Sequence, residues 1–166
     1  AIMSPGEFCY FDSYQDAPDS QPEAIGGYLP LSKVYSFNPV PDTLSADKVQ
    51  LVYGVQANLF TEYIPTPEHA EMMIYPRILA LAEVAWSAPS VKNYDDFHVR
   101  ALKEVEALKA EGYHPFELKN EIGNRPGADQ PVQHLAVGKK VAYGPDAAYY
   151  PGYSAGGDSA LVDGVI

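Results

Sequence analysis

Apolar positions along the first 116 residues follow two different rhythms. A short apolar piece at 1–4 runs into the turn Pro5-Gly6 and predicts the tail of a strand. Val and Leu crowd the stretch 49–59, which predicts a strand buried on both faces. Beyond it the period changes. Met72, Met73, Leu79, Ala80 and Val84 recur at helical spacing and predict a helix over 67–86. Thr66-Pro67-Glu68 opens that helix with an N-cap, a proline at the first position and an acid in the first turn. Pro76 predicts a kink inside it, and Ser87-Ala88-Pro89 ends it. A further helix starts at the cap Asn93, turns Phe97, Ala101, Leu102, Val105 and Leu108 inward, and closes at Gly112. Its outer face, Lys103, Glu104, Glu106 and Lys109, is a solvated charged surface.

Between the two predicted strands, residues 9–42 mix Tyr, Asp, Pro and Gly, with Pro22, Gly26-Gly27, Pro30, Pro39 and Pro41. The pattern is that of a long loop with one helical turn at Leu31–Tyr35. Tyr10, Phe11, Tyr14, Tyr28, Tyr35 and Phe37 argue for an ordered loop, and loops of this length in packed domains commonly carry function. After Phe116 the character changes again. Gly123, Pro126, Gly127 and Pro131 mark a linker at 119–131. Short alternating pieces then follow at 134–137, 139–143 and 160–162, as at the start of a β-sandwich. The predicted organisation is 1–118, a linker at 119–131, and a truncated β-rich segment at 132–166.

The order strand, long loop, strand, helix places the fold in the α/β class. It is the order found at the end of a TIM (β/α)8 barrel, where the last two strands are followed by the closing helices. A barrel needs eight strands and roughly 250 residues, so the chain reads as the carboxyl-terminal fragment of something larger. Thr61, Glu62 and Tyr63 fall just beyond the carboxyl end of the second strand, where barrel enzymes gather their sites. The pattern alone leaves two readings of Glu62: a site carboxylate, or a carboxylate solvating a loop.

The chain has 166 residues, 46% of them hydrophobic and 20% charged, and a net charge of −11. Such a charge argues against nucleic acid or an anionic membrane surface as a partner, since both call for a basic face. No apolar run approaches the roughly 20 residues of a membrane span. The single Cys9 excludes an intramolecular disulfide and is expected to be a small buried apolar residue. His69, His98, His114 and His134 share no helical face, and zinc spacings are absent. No metal and no cofactor is predicted.

Several motifs now follow one another in order: Met3-Ser4-Pro5, Tyr10-Phe11-Asp12, Gly54-Val55-Gln56-Ala57-Asn58-Leu59-Phe60-Thr61-Glu62, and Pro76-Arg77 through Ala82-Glu83-Val84-Ala85-Trp86-Ser87. Over about residues 1–116 the chain resembles the carboxyl-terminal part of the catalytic barrel of family 20 glycoside hydrolases, the β-N-acetylhexosaminidases. The resemblance implies that 1–4 ends barrel strand seven, that 49–59 is strand eight, and that the helix over 67–86 closes the barrel. It also implies hydrolysis of terminal β-linked N-acetylglucosamine or N-acetylgalactosamine with retention. The substrate's own acetamido oxygen is then the nucleophile, an exception to the two-carboxylate scheme.

By the same resemblance, Tyr10 holds the acetamido carbonyl for attack, and Asp12 and Glu62 accept hydrogen bonds from sugar hydroxyls. Phe60 stands where the family commonly has a tryptophan against the sugar; it keeps an apolar wall but loses area and the indole donor. The family's Asp-Glu pair, which carries the general acid, occurs nowhere in this sequence, so the isolated chain is expected to be inactive. Its partner is expected to be carbohydrate together with the rest of the barrel, and its location secreted or periplasmic. Arg77 is expected to be a structural partner for a carboxylate or for carbonyls at the barrel edge, and Glu83 to be structural. Trp86 is expected to pack on the barrel exterior against the last helix. Residues 132–166 resemble the opening of a discoidin-like, galactose-binding-like module. The alternative from another class is a non-catalytic carbohydrate-binding or interaction protein.

Overall fold

A computed structural model describes residues 1–122. These lie within the first of the two units into which the chain divides, Ala1–Ala128. The remainder of the expected linker and the expected β-rich segment at 132–166 lie outside the described residues.

Two short parallel strands organise the molecule. Strand β1 is Ile2–Met3 and β2 is Gly54–Val55, with Ile2 opposite Gly54 and Met3 opposite Val55. Tyr53 N donates to Ala1 O (2.8 Å) and Gln56 N to Met3 O (3.0 Å), extending the ladder at both ends. Further on, Tyr10 and Asn58 form a parallel bridge. Parallel neighbours need a long crossover, and residues 4–53 supply it. The crossover carries three short helices: α1 (Gly6–Cys9), α2 (Leu31–Tyr35) and α3 (Ala46–Val49). The helical turn expected at Leu31–Tyr35 is α2.

The second strand is shorter than its apolar run suggests. Residues 46–49 are helical, and Val49, Leu51 and Tyr53 are exposed rather than buried. Lys48 N, Leu51 N and Val52 N each donate to a carbonyl three residues back, so these amides are used locally and cannot join a ladder. From Val55 onward the chain alternates. Val55, Ala57 and Leu59 pack against the main core, while Gln56, Asn58 and Phe60 occupy the other parity.

The expected kink at Pro76 is a complete break. Helix α4 spans Pro67–Ile74 and α5 spans Arg77–Trp86, joined through a cis Tyr75–Pro76 bond. Tyr75 is extended, as a residue before proline tends to be. Thr66 caps α4 by accepting from His69 N (3.2 Å), and Asn93 caps α6 (Tyr94–Ala110) by accepting from Asp96 N (3.2 Å). Helix α6 ends at Gly112, whose φ of +92° suits a residue without a Cβ. The chain stays packed through the turn Leu118–Asn120, and Ile122 N donates to Asp16 Oδ2 (2.7 Å).

The main core gathers Cys9, Phe11, Leu29, Leu31 and Val34 from the crossover, Ala80, Leu81 and Val84 from α5, and Phe97, Ala101 and Val105 from α6. Burying each large aliphatic or aromatic side chain contributes roughly 1.5–3 kcal/mol. Glu83 is structural: it accepts from Tyr35 Oη (2.7 Å) and pairs with Arg100 (2.8 Å). Trp86 departs from expectation, being 90% exposed. Helix α5 turns Arg77, Ala80, Leu81 and Val84 inward. Two residues beyond Val84 the helix has rotated about 200°, so Trp86 faces outward, along a groove shared with Leu79, Phe97 and Arg100.

Candidate functional site

The parallel strands bring two segments side by side at their carboxyl ends: Tyr10–Ser13 after α1, and residues 56–63 after β2. Cys9 and Phe11 lock them together, since Asn58 N donates to Cys9 O and Phe11 N donates to Asn58 O, both at 2.8 Å. This places Tyr10 directly beside Asn58. Tyr10 is partly exposed, and its ring lies 5.6 Å from that of Phe60 at a tilt of 59°. Tilted aromatic pairs at this separation attract one another. Two of the four expected site residues are thus in direct contact.

Asp12 lies on the same segment as Tyr10 but is buried, and its Oδ1 meets no hydrogen-bond partner among the described residues. A buried carboxylate oxygen without a donor is costly. Glu62 stands at the far side, exposed, in a turn closed by the bond from Ile64 N to Thr61 O (3.1 Å). No direct contact joins Glu62 to Tyr10, Asp12 or Phe60 among the interactions of the described residues. The structure therefore pairs Tyr10 with Phe60, buries Asp12 two residues further along, and leaves Glu62 exposed.

Arg77 underlies this arrangement. It is the first residue of α5 and has no exposed surface. Its Nη1 donates to Ser13 O (2.9 Å) and Leu29 O (3.1 Å), its Nε to Met73 O (3.1 Å), and its Nη2 to Met73 O (2.6 Å) and to Phe11 O. The guanidinium also lies 4.9 Å from the Phe11 ring centroid. Burial disfavours its positive charge, while the nearby charge of Asp12 supports it. The expectation that Arg77 serves carbonyls is met.

A polar trio not anticipated from the sequence lines the strand ends. Ser4 Oγ donates to Gln56 O (2.8 Å), Asn58 Nδ2 donates to Ser4 Oγ (2.7 Å), and Gln56 Nε2 donates to Asn58 Oδ1 (2.8 Å). The signal was present in the alternation Val55, Gln56, Ala57, Asn58, Leu59, which assigns polar residues to one face. Cys9, fully buried behind Tyr10, has its thiol pushed up to about 11 by burial. Among the described residues no group of three or more His, Cys, Asp or Glu is gathered to hold a metal ion.

An exposed aromatic pair beside a buried, unpaired carboxylate and a rim carboxylate suits a polyhydroxylated ring. Apolar ring faces pack on aromatics, and hydroxyls donate to carboxylates. The profile of "Glycosyl hydrolase family 20, catalytic domain" matches residues 1–89. A beta-hexosaminidase of Porphyromonas gingivalis is 48% identical over 97 residues, 58% of this chain and 12% of its own length. A beta-N-acetylhexosaminidase of Cellulomonas fimi is 33% identical over 104 residues, 63% of this chain and 21% of its own. The match thus spans about an eighth to a fifth of the length of these relatives. Among solved structures, the GH20 beta-N-acetylhexosaminidase of Streptomyces coelicolor A3(2) superposes with a TM-score of 0.61 at 27% identity, covering 69% of this chain and 23% of that one. The Streptomyces plicatus N-acetyl-beta-hexosaminidase in complex with Thio-NAglucal gives 0.61 at 28% identity, over the same shares of the two chains.

Proposed function

The chain belongs to glycosyl hydrolase family 20, and we propose that it supplies one wall of the sugar pocket of a β-N-acetylhexosaminidase. In this reading β1 and β2 are the seventh and eighth strands of a TIM barrel, and α4 and α5 together are its closing helix. The substrate is a terminal β-linked N-acetylhexosamine, cleaved with retention through attack by its own acetamido oxygen. The observation that carries the proposal is the contact of Phe60 with Tyr10, two residues along the chain from the buried Asp12, whose Oδ1 has no donor among the described residues.

In this reading each residue takes the role that the family resemblance implies. The Tyr10 hydroxyl donates to the acetamido carbonyl and holds its oxygen near the anomeric carbon; such positioning must hold within about 3–3.5 Å to be useful. Asp12 accepts from one sugar hydroxyl, relieving the unmet demand of Oδ1. Glu62 accepts from another, and charged acceptors distinguish epimers because a misplaced hydroxyl leaves the acceptor unpaired. Phe60 supports the apolar side of the sugar. The general acid comes from outside this chain.

The test is kinetic, in the complete protein encoded by the reading frame around this chain. Glu62→Gln keeps shape and removes charge. It should lower kcat/KM on an aryl β-N-acetylglucosaminide by about 10- to 100-fold, the worth of one charged hydrogen bond. Unchanged kcat/KM would remove Glu62 from the site. A complete protein that binds N-acetylglucosamine yet turns over no aryl glycoside would favour the non-catalytic carbohydrate-binding alternative.

A further inference from the structure

We propose that Arg77 is a positioning residue of the sugar site, which sets the Tyr10–Ser13 segment and, through it, the Asp12 carboxylate. The inference rests on the pocket reading above. A guanidinium carries five N–H donors. Here all five are spent on backbone carbonyls: Met73 O takes two, and Phe11 O, Ser13 O and Leu29 O take one each. The acceptors at Phe11 and Ser13 are the carbonyls on either side of Asp12. The peptide unit that enters Asp12 and the one that leaves Ser13 are therefore fixed by one side chain.

Spending every donor on carbonyls has a second effect. Arg77 lends its charge to the neighbourhood of Asp12 but has no N–H left to give the carboxylate. Asp12 Oδ1 accordingly stays buried without a donor among the described residues. An arginine that merely filled a buried gap would be expected to pair with the nearest carboxylate, because bidentate guanidinium–carboxylate bonds are the stronger ones. This one anchors the carboxylate's backbone instead.

The same side chain ties the pocket to α5. Arg77 starts that helix, and Met73 O belongs to the end of α4. The loop carrying Tyr10 and Asp12 is thus held on one side by Asn58, on the segment after β2, and on the other by the break between α4 and α5. Lysine cannot replace this fork, since an ammonium has three donors and no fixed plane.

The experiment is a double-mutant cycle in the complete protein, with Arg77→Lys and Asp12→Asn measured singly and together. Arg77→Lys should reduce kcat/KM by about 100-fold, as misplacement by an ångström can, and the double variant should lose scarcely more than the worse single one. Losses that multiply, or an unaltered kcat/KM in Arg77→Lys, would overturn the proposal. A structural residue acting on the fold alone gives multiplying losses.

If the lysine variant lacks a cooperative melt, the complete protein with Arg77 intact serves instead. Saturating N-acetylglucosamine should shift the Arg77 Nε–H nuclear magnetic resonance signal, and Asp12→Asn should shrink that shift. Sugar binding proven by calorimetry with an unmoved Arg77 signal refutes the positioning role and leaves the pocket reading intact. No binding and no turnover of any N-acetylhexosamine overturns the pocket reading, and this inference with it.

Discussion

The two sides of the candidate pocket are built to different standards. On one side, the segment Tyr10–Ser13 is fixed at its amides and carbonyls: Phe11 N to Asn58 O, and Phe11 O and Ser13 O to Arg77. On the other, Phe60 and Glu62 leave β2 on an exposed turn, and the turn is closed by the single bond from Ile64 N to Thr61 O. The first side is ordered by folding itself, so a ligand meets groups already in place. The second is held by fewer bonds. A fixed wall suits the group that must align a reacting atom, and a less constrained one suits contacts that only recognise hydroxyls.

That contrast can be broken most severely at Arg77. Arg77→Met leaves four buried carbonyls short of donors, and urea denaturation of the chain should show a loss of about 3–5 kcal/mol. A loss below about 1 kcal/mol would mean that the held side is not held by Arg77. Cys9, next to Tyr10, tests the same side by pH. Its ordinary pKa of 9.0 is pushed to about 11 by burial. Between those values the unfolded chain releases the thiol proton while the folded one keeps it. Stability is therefore fully present below about pH 9 and falls as pH rises towards 11, by about 2–3 kcal/mol. Urea titrations at pH 8 and pH 11 should show this loss in the unmutated chain and a smaller one in Cys9→Ala.

Smaller effects sharpen the boundary between the sides. Asn58→Ala removes two side-chain bonds but no backbone bond, and should cost about 1–2 kcal/mol in the same assay. A larger loss would show that the polar trio, and not the backbone lock, joins the strands. Phe60→Ala should change stability by no more than about 0.5 kcal/mol, because its side chain is largely exposed. In the complete protein it should nonetheless raise KM for an aryl β-N-acetylglucosaminide. A destabilisation above about 1 kcal/mol would mean that the free side is part of the fold.

The helical half of the molecule was readable because its signals are local. Thr66 and Asn93 cap the helices where their side chains imply, Gly112 ends the last one, and Phe97, Ala101 and Val105 face the core. The extended half was less so. Residues 49–52 are apolar enough for the start of the expected strand, yet they turn locally, because an amide bonded to a carbonyl three residues back is lost to any ladder. Trp86 looks like core by type, but its angular position on α5 points it outward. Tyr10, Asp12, Phe60 and Glu62 were legible as candidates through the family motifs they sit in. The Ser4, Gln56 and Asn58 trio showed only as an alternation whose partner could not be read from one strand.

The sequence by itself determined the helices, their caps and breaks, the family, and the residue types that a sugar site would use. Those are encoded in contacts between residues close in the chain, or in motifs short enough to recognise directly. Only the tertiary structure decided that Arg77 reaches back across more than sixty positions to Phe11 and Ser13, that Tyr10 meets Phe60, and that Asp12 Oδ1 is buried without a donor. Such pairings depend on the parallel register of β1 and β2. That register is set by bonds between segments about fifty residues apart, a separation over which no local pattern constrains geometry.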